Sequence, residues 1–181
     1  MSLLDTNATI ACIQYWVDEG PLFIMAVGPP GSGKSTFFHE LKKAIPIVER
    51  CSTDDFLDAR MRGLPPAKQR QVHKTIPFGN LSMVLRRKMF DLTNQGKHIY
   101  VDQTSMTRES RTAKLNWVGT KHKRVCLDFT GLTASQLYER VQQRVKNGGR
   151  YIPLHVIEDM IKAYEPPTME EGFDVVYGGP P

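Results

Sequence analysis

A glycine-rich segment that ends in lysine and serine carries the strongest chemical signal in the sequence. Residues 28–35 read Gly-Pro-Pro-Gly-Ser-Gly-Lys-Ser and match the pattern G-x-x-x-x-G-K-[ST] in full. Such glycines let backbone N–H groups converge on phosphate oxygens, and the helix pattern that follows adds a positive dipole end. We therefore expect a nucleoside triphosphate here, with Lys34 on its phosphates and Ser35 on Mg²⁺. The expected nucleotide contacts are Gly28, Gly31, Ser32, Gly33, Lys34, Ser35 and Thr36.

Two adjacent carboxylates follow the second apolar run of the chain. Asp54 and Asp55 come directly after residues 47–51, which we predict to form a strand. In open α/β sheets the carboxyl ends of strands face the ligand crevice, so Asp54 is placed to accept a proton from an attacking hydroxyl. We assign Asp54 as the catalytic base and Asp55 as the N-cap of a helix that begins near Phe56. Helix capping alone is the alternative for this pair.

A third carboxylate ends the apolar run over residues 98–102. This is the Walker B arrangement, in which Asp102 would hold Mg²⁺ through a water molecule or orient the acceptor hydroxyl. Thr104, two residues later, would add a hydrogen bond to the acceptor. A carboxylate that is merely satisfied inside the core is the alternative for Asp102.

Basic residues gather on a predicted helix that ends at Gly148 and Gly149. Arg140 and Arg144 lie four residues apart and share a helix face. An arginine-bearing element that ends in glycines is typical of a lid that excludes water and brings cations onto a transferring phosphoryl group. We expect Arg140 and Arg144 to be catalytic and Arg144 also to bind the nucleotide. A solvated basic helix, with Lys146 and Arg150 included, is the alternative.

Short apolar runs and longer helical patterns alternate along the chain and must position these residues. Strands are predicted over residues 22–27, 47–51, 98–102, 124–129 and 174–177, and helices over 6–17, 79–94 and 133–147 and between Pro153 and Pro166. Thr6 or Asn7 is expected to cap the first helix, and Thr133 with Gln136 forms a capping box. The alternation predicts an α/β fold, a P-loop NTPase-like parallel sheet of about five strands with helices on both faces and an arginine-bearing helical lid.

Composition excludes several classes of protein. The chain has 181 residues, 40% of them hydrophobic and 24% charged, as in an ordinary globular domain. The run over residues 22–27 is far shorter than the roughly 20 residues of a membrane span, and it lacks the charged flank of a secretory signal. The three cysteines are scattered, odd in number and without metal-ligand spacing, which argues against a disulfide framework and a zinc site. We therefore expect a reducing, cytoplasmic location (the host cytoplasm if the chain is phage-encoded).

Positive charge is concentrated in the middle of the chain. The net charge is +5, but residues 60–124 carry 15 Lys or Arg and only 3 Asp or Glu, which makes +12. A block of this size favours contact with a polyanion such as nucleic acid. A basic surface that serves only solubility is the alternative.

Several of these segments, taken in order, resemble the 5′-kinase module of phage-type polynucleotide kinases. The resemblance rests on residues 28–35, 52–55, 101–104, 150–160 and 171–174, and it covers roughly residues 22–178. Members of this family move the γ-phosphate of ATP onto a nucleic-acid 5′-hydroxyl. The resemblance implies ATP and Mg²⁺ as cofactors and a single P-loop kinase domain over residues 1–181, with an N-terminal helix in 1–20 and a kinase core in 22–178. It implies roles for Lys34 and Ser35 at the nucleotide and metal, Asp54 as base, Asp102 at the acceptor, and Arg144 on the transferring phosphate with Arg140 beside it.

The sequence departs from this family at the acceptor site. Where the phage enzyme has an arginine three residues after the base, which binds the acceptor's adjacent phosphate, this chain has Leu57. The phosphatase domain fused to many relatives is also absent from the sequence. We expect another basic residue to replace the lost contact. The candidates are Arg60, Arg62, Lys68, Arg70 and Lys74.

Three other functions stay open at this stage. A kinase of 5-hydroxymethyluracil within phage DNA would use the same phosphate-transfer residues and would need the base flipped out of the duplex. A small-molecule kinase for a nucleoside, nucleotide or sugar would share Lys34, Asp54 and Asp102 without needing the basic block. A non-catalytic nucleotide-dependent module would bind nucleic acid without transferring phosphate. Nucleic acid is the expected partner, with DNA favoured over RNA because no RNA-binding module is recognised; neither a membrane nor a protein partner is expected.

Overall fold

A parallel sheet of five strands forms the centre of the protein in the computed structural model, which describes residues 4–61, 78–147 and 149–179. The strands are β1 (Leu22–Val27), β2 (Glu49–Cys51), β3 (Ile99–Val101), β4 (Lys123–Asp128) and β5 (Val175–Gly178). Their order across the sheet is β2-β3-β1-β4-β5, and every neighbouring pair is parallel. The parallel sheet of about five strands predicted from the sequence is therefore confirmed.

Helices cover both faces of this sheet. They are α1 (Thr6–Val17), α2 (Lys34–Ala44), α3 (Thr53–Met61), α4 (Phe78–Asn94), α5 (Arg108–Leu115), α6 (Ala134–Lys146) and α7 (Leu154–Lys162), followed by a short 3-10 helix (Met169–Glu171). All six residues of β1 are buried, because alternate side chains point to opposite faces and each face meets a helical layer. Ile24 packs in the cluster that contains α1 and α2, whereas Met25 packs in the cluster that contains α4 and α5.

Most predicted strands shift by one residue at their ends, and three other boundaries differ for a local reason. The side chain of Asp5 accepts the N–H of Ala8 and caps α1, in place of the expected Thr6 or Asn7. Strand β2 begins at Glu49 and not at Ile47, whose side chain is 56% exposed and packs on neither face. Pro153 is the N-cap of α7 and lies one residue before the first turn where it was expected.

Helix α5 was missed by the sequence analysis. The side chain of Thr107 caps it by accepting the N–H of Ser110. Its buried face consists of Arg111, Lys114 and Leu115. Two of these three residues are charged, so the apolar repeat that marks an amphipathic helix is missing from the sequence.

Helices α6 and α7 pack on each other at the side of the sheet. The predicted capping box of Thr133 and Gln136 opens α6. Leu137, Val141 and Ile157 form a separate buried cluster between the two helices. This small core supports α6, which also lies against the loop that follows β1 at Leu137, Arg140 and Val141.

No helix in the described parts of the chain has the length and apolarity needed to cross a membrane.

Candidate active site

The glycine-rich loop joins β1 to α2 and presents unsatisfied backbone donors. Gly33 is the N-cap of α2, and no side chain caps that helix end, so the N–H groups of its first turn have no protein side chain as acceptor. Gly33 has a φ of 106°, which strongly favours glycine. A Cβ on Gly28 would lie 2.7 Å from Ser32 Oγ, so that position also requires glycine. The loop therefore has the shape and the donors of a phosphate-binding site.

Lys34 lies buried within this loop. Its Nζ donates to the carbonyl oxygens of Gly28 and Pro29, both at 2.8 Å. Burial lowers the pKa of Lys34 to about 8, although the nearby carboxylates of Asp102 and Asp54 act in the opposite direction. The ammonium group is thus held at the loop, ready to meet an anion.

Ser35 and Asp102 are brought together from α2 and from the end of β3. Ser35 Oγ donates to Asp102 Oδ2 at 2.7 Å, and the side chain of Asp102 is only 5% exposed. A hydroxyl and a carboxylate are oxygen ligands of the kind that Mg²⁺ prefers, and Mg²⁺ in nucleotide sites takes few protein ligands beside the phosphates. The described residues contain no cluster of three or more His, Cys, Asp or Glu that could hold a metal by itself. The pair therefore fits the magnesium site expected at Ser35 and Asp102.

Arg50 also belongs to this site and was missed by the sequence analysis. Its guanidinium donates to Asp102 Oδ2 from Nε at 3.0 Å and from Nη2 at 2.5 Å. Nη1 donates to Asp55 Oδ1 at 2.6 Å, and Nη2 lies 3.2 Å from Ser35 Oγ. Burial disfavours the charged guanidinium, but the carboxylates outweigh burial and raise the pKa of Arg50. In the sequence, Arg50 appears only as a charged residue inside a predicted strand.

Asp54 lies in the first turn of α3 with an exposed side chain. Its carboxylate is close enough to Lys34 and Arg50 to favour the charged form of both, although burial still lowers the pKa of Lys34 overall. The N–H of Asp54 donates to Ser52 Oγ at 3.2 Å, so Ser52 caps α3. The prediction that Asp55 is the cap is wrong, because Asp55 lies inside the first turn and binds Arg50 instead.

A buried ion pair holds the backbone of the loop that follows β3. Arg111, fully buried, donates to both carboxylate oxygens of Glu171 at 2.7 Å. The same guanidinium donates to the carbonyl oxygens of Ser105 and Met106. The carbonyl oxygen of Thr104 accepts the N–H of Gly28 at 2.9 Å. This pair therefore supports the backbone that joins Asp102 to the phosphate loop.

Helix α6 lies directly on the phosphate loop. A Cβ on Gly31 would approach the carbonyl oxygen of Leu137 to 2.9 Å, which shows how closely the two backbones meet. Arg140 Nη1 donates to the carbonyl oxygen of Gly31 at 3.3 Å. The charge of Arg144 acts on Lys34 and lowers its pKa. The two arginines predicted to face the phosphates are thus both next to the loop, with side chains that are also exposed to solvent.

Of the basic residues expected to contact a phosphate of the acceptor, the structure describes only Arg60. Arg60 lies near the end of α3, where its guanidinium stacks on Phe56 at 5.5 Å, about 9 Å along the helix axis from Asp54. Arg62, Lys68, Arg70 and Lys74 lie outside the described residues. Leu57, which occupies the position where the resemblance to phage-type polynucleotide kinases implies an arginine, is 4% exposed and belongs to the core.

Comparison with known proteins identifies the fold family. A family model described as an AAA domain matches residues 23–167. Similar solved structures include a chain of the Pnkp1/Rnl/Hen1 RNA repair complex, with 21% identity and a TM-score of 0.61 over 80% of this chain and 44% of that one. A gluconokinase from Sinorhizobium meliloti 1021 has 20% identity and a TM-score of 0.54 over 89% and 85% of the two chains. A fungal RNA kinase has 15% identity and a TM-score of 0.52 over 87% and 73%.

These likenesses establish the fold but not the acceptor. The chain spans less than half the length of the similar chain in the RNA repair complex. No curated protein sequence matches significantly. Because the family model matches most of the chain, the protein belongs to this AAA-domain family and has the fold of a P-loop kinase.

Proposed function

We propose that the protein is an ATP-dependent kinase that transfers the γ-phosphate to a hydroxyl of a nucleic acid, with a 5′-hydroxyl end as the preferred acceptor. The observation that carries this proposal is the meeting of three groups at one edge of the sheet. These groups are the phosphate loop with Lys34, the oxygen pair of Ser35 and Asp102, and the exposed carboxylate of Asp54. We further propose that residues 1–181 form one catalytic domain.

In this proposal the phosphate loop holds the nucleotide. The N–H groups at the start of α2 donate to its phosphate oxygens, and Lys34 releases two carbonyl oxygens to meet the β- and γ-phosphates. Ser35 and Asp102 would hold Mg²⁺, which when bound neutralises charge on the phosphates. Arg144 and Arg140 approach the γ-phosphate from α6, so the charge that develops during transfer meets cations from two sides.

Asp54 completes the reaction as general base. Its carboxylate accepts the proton of the acceptor hydroxyl while that oxygen forms a bond to the γ-phosphorus. The bond from the γ-phosphorus to the bridging oxygen breaks, and ADP leaves with that electron pair. Asp54 suits the role because it is exposed and close to Lys34, which stands at the expected phosphate position.

Two observations support nucleic acid as the acceptor. Residues 60–124 carry a net charge of +12, which favours a polyanion. Two structurally similar proteins, a chain of an RNA repair complex and a fungal RNA kinase, are connected with RNA by name. The preference for DNA over RNA and the cytoplasmic location stay predictions.

Two other acceptors remain as candidates, each favoured by one observation. The similarity to a gluconokinase over most of both chains favours a small hydroxylated molecule. The burial of Leu57 favours an acceptor that lacks a phosphate beside the reacting hydroxyl, such as 5-hydroxymethyluracil within DNA.

A labelling experiment separates these acceptors. The protein is incubated with γ-labelled ATP and Mg²⁺ and with one acceptor at a time: 5′-hydroxyl DNA, 5′-hydroxyl RNA, end-blocked DNA with an internal 5-hydroxymethyluracil, or gluconate. We expect label on a 5′-hydroxyl oligonucleotide and none with Lys34→Ala. Label on the modified base or on gluconate alone would replace the proposed acceptor, and ATP binding without transfer to any acceptor would favour a non-catalytic module.

A further inference from the structure

Arg50 connects three elements at the active-site edge of the sheet. It lies on β2, and its guanidinium binds Asp102 at the end of β3, Asp55 in the first turn of α3 and Ser35 in the first turn of α2. Its guanidinium lies over the ring of Phe38, whose centre is 5.5 Å from the guanidinium carbon. The side chain is 20% exposed, so it is held in place but within reach of solvent.

The guanidinium uses the same oxygens that would hold Mg²⁺. The hydroxyl of Ser35 has one proton and two lone pairs, and its proton is donated to Asp102. Arg50 Nη2 lies 3.2 Å from Ser35 Oγ and 2.5 Å from Asp102 Oδ2, so it is directed at both oxygens of the pair. A divalent cation bound at these oxygens would lie a few ångströms from a guanidinium in this position, and two cations at that distance repel strongly.

Asp55 is a second ion-pair partner for the guanidinium of Arg50. It accepts from Nη1 at 2.6 Å, on the opposite side of the guanidinium from the contacts made by Nε. A change of side-chain torsion could therefore break the contacts to Ser35 and Asp102 while the ion pair with Asp55 is kept. Such a movement would act on the first turn of α3, which also carries Asp54.

We propose that Arg50 is a positioning residue that competes with magnesium. In the nucleotide-free protein its guanidinium holds Ser35 and Asp102 in place, and when Mg²⁺ arrives with ATP it leaves these two residues and remains on Asp55. Arg50 thus keeps the metal-binding pair ordered before the nucleotide arrives and lowers the affinity for Mg²⁺ at the same time. This inference rests on the proposed binding of ATP with Mg²⁺ at this site.

Nucleotide binding, measured without any transfer reaction, tests the proposal. The dissociation constant of β,γ-imido-ATP is measured calorimetrically in excess Mg²⁺ and again in excess chelator, for the wild-type protein and for Arg50→Gln. With Mg²⁺ present we expect Arg50→Gln to bind the analogue at least about threefold more tightly than the wild type, because one competing charge is gone. Equal or weaker binding in Mg²⁺, or an equal gain in excess chelator, would overturn the proposal.

Arg87→Gln is the matched control. Arg87 is an exposed arginine on α4 that pairs with Asp91, so its loss changes the net charge equally without touching Ser35 or Asp102. We expect wild-type affinity from this variant. An equal gain in Arg87→Gln would mean that overall charge causes the effect, and the proposal would fall.

A measurement on the unmodified side chain covers the case in which Arg50→Gln does not fold. The Nε–H group of Arg50 donates to Asp102, and its NMR signal can be assigned by comparison with Arg50→Lys. We expect its exchange with water to accelerate when Mg²⁺ and the ATP analogue are added; unchanged slow exchange would overturn the proposal. If the wild-type protein binds no ATP analogue with Mg²⁺, the proposed function fails first; if it binds while Arg50 shows neither effect, only this inference fails.

Discussion

At the scale of single residues, the candidate site combines one exposed carboxylate with several charged groups that are partly or fully buried. Within residues 4–61, 78–147 and 149–179, the carboxylate of Asp54 makes no hydrogen bond or ion pair comparable with the network of Arg50, Asp102 and Ser35. Buried groups here hold each other in position, whereas Asp54 remains open to an incoming hydroxyl. This division suits a reaction in which most residues position phosphates and one moves a proton.

Replacement of Asp54 tests its role as base. We expect Asp54→Asn to lower the rate of phosphate transfer about 10²- to 10⁴-fold, because the amide cannot accept the proton. Binding of ATP should change less than about threefold, as measured by calorimetry. Asp58→Asn, at another exposed position on α3, is the control and should keep the wild-type rate. An equal loss of ATP binding and transfer in Asp54→Asn would make the residue structural or a metal ligand.

The pKa of Lys34, lowered by burial to about 8, predicts a pH dependence with opposite signs for activity and stability. Lys34 loses its charge as the pH rises above about 8, so kcat/KM for ATP should fall on the alkaline side. Between pH values of about 8 and 10.5 the unfolded chain binds more protons at this position than the folded one. The free-energy cost of burying a charged Lys34 therefore decreases, and the stability of the fold rises with pH. A pH profile of kcat/KM compared with Lys34→Arg checks the first effect, since the arginine variant should lack this alkaline loss. If kcat/KM falls at high pH in the same way in Lys34→Arg, the fall is caused by the titration of another group.

At the scale of elements, α6 decides whether the arginines can reach the phosphates. Its contact with Gly31 and its separate core with α7 place Arg140 and Arg144 beside the phosphate loop. In this structure Arg144 Nη2 makes a long contact of 3.4 Å to the carbonyl oxygen of Arg150. A long contact of this kind leaves the guanidinium free to turn toward a phosphate.

Removal of Arg144 measures this contribution. We expect Arg144→Ala to lower the transfer rate about 10³-fold, as for an arginine finger supplied by the same chain. Lys146→Ala, two residues later on the exposed side of α6, should stay within about threefold of the wild type. Steady-state kinetics with a saturating acceptor provide the measurement. A loss below about tenfold in Arg144→Ala would show that Arg144 belongs to the solvated surface.

The buried pair of Arg111 and Glu171 explains the motif Glu171-Gly172-Phe173-Asp174. Glu171 binds Arg111, Phe173 packs in the core beside the sheet, and Asp174 accepts the N–H of Arg124 at 2.7 Å. The motif therefore holds the loop after β3 and the start of β4.

Loss of charge at Glu171 should therefore reduce stability. We expect Glu171→Gln to lower the free energy of unfolding by about 3 kcal/mol, because it leaves Arg111 charged and buried without a counter-ion. Denaturant unfolding monitored by circular dichroism measures the change. Glu170→Gln is the exposed control and should change stability by less than about 0.5 kcal/mol. Unchanged stability in Glu171→Gln would mean that the pair contributes no net energy.

At the scale of the whole molecule, the distribution of charge supports the proposed acceptor class. The excess positive charge lies in residues 60–124, which include α4, β3 and α5 as well as a stretch outside the described residues. In the candidate site, by contrast, the carboxylates of Asp54, Asp55 and Asp102 offset the charges of Lys34 and Arg50, and the proposal assigns Arg140 and Arg144 to the nucleotide phosphates. Any binding of nucleic acid should therefore depend on the wider basic surface.

This arrangement predicts that binding of nucleic acid is strongly dependent on salt. The logarithm of the association constant for a 5′-hydroxyl oligonucleotide should fall steeply and linearly with the logarithm of salt concentration, because several phosphates release counterions. Fluorescence anisotropy between 50 and 200 mM salt, roughly the range over which such losses are large, provides the measurement. A flat profile would contradict contact between the basic block and a polyanion.

Much of the fold and part of the site can be predicted from the sequence, because the signals are local. The phosphate loop is eight consecutive residues, the strands are short apolar runs, and the capping box of α6 lies within four residues. Each pattern reports the conformation of its own segment, so Lys34 and Ser35 were found without the fold. Helix α5 was missed because charged residues form much of its buried face.

The remaining features depend on contacts between residues far apart in the chain. Ser35 and Asp102 are separated by 67 positions, Arg50 and Asp102 by 52, and Arg111 and Glu171 by 60. No local pattern connects such residues, since the order of strands in the sheet decides which loop ends become neighbours. The sequence by itself determined the parallel α/β sheet and the phosphate loop, whereas only the tertiary structure decided that Arg50 contacts both Ser35 and Asp102, because β2 lies next to β3 in the sheet.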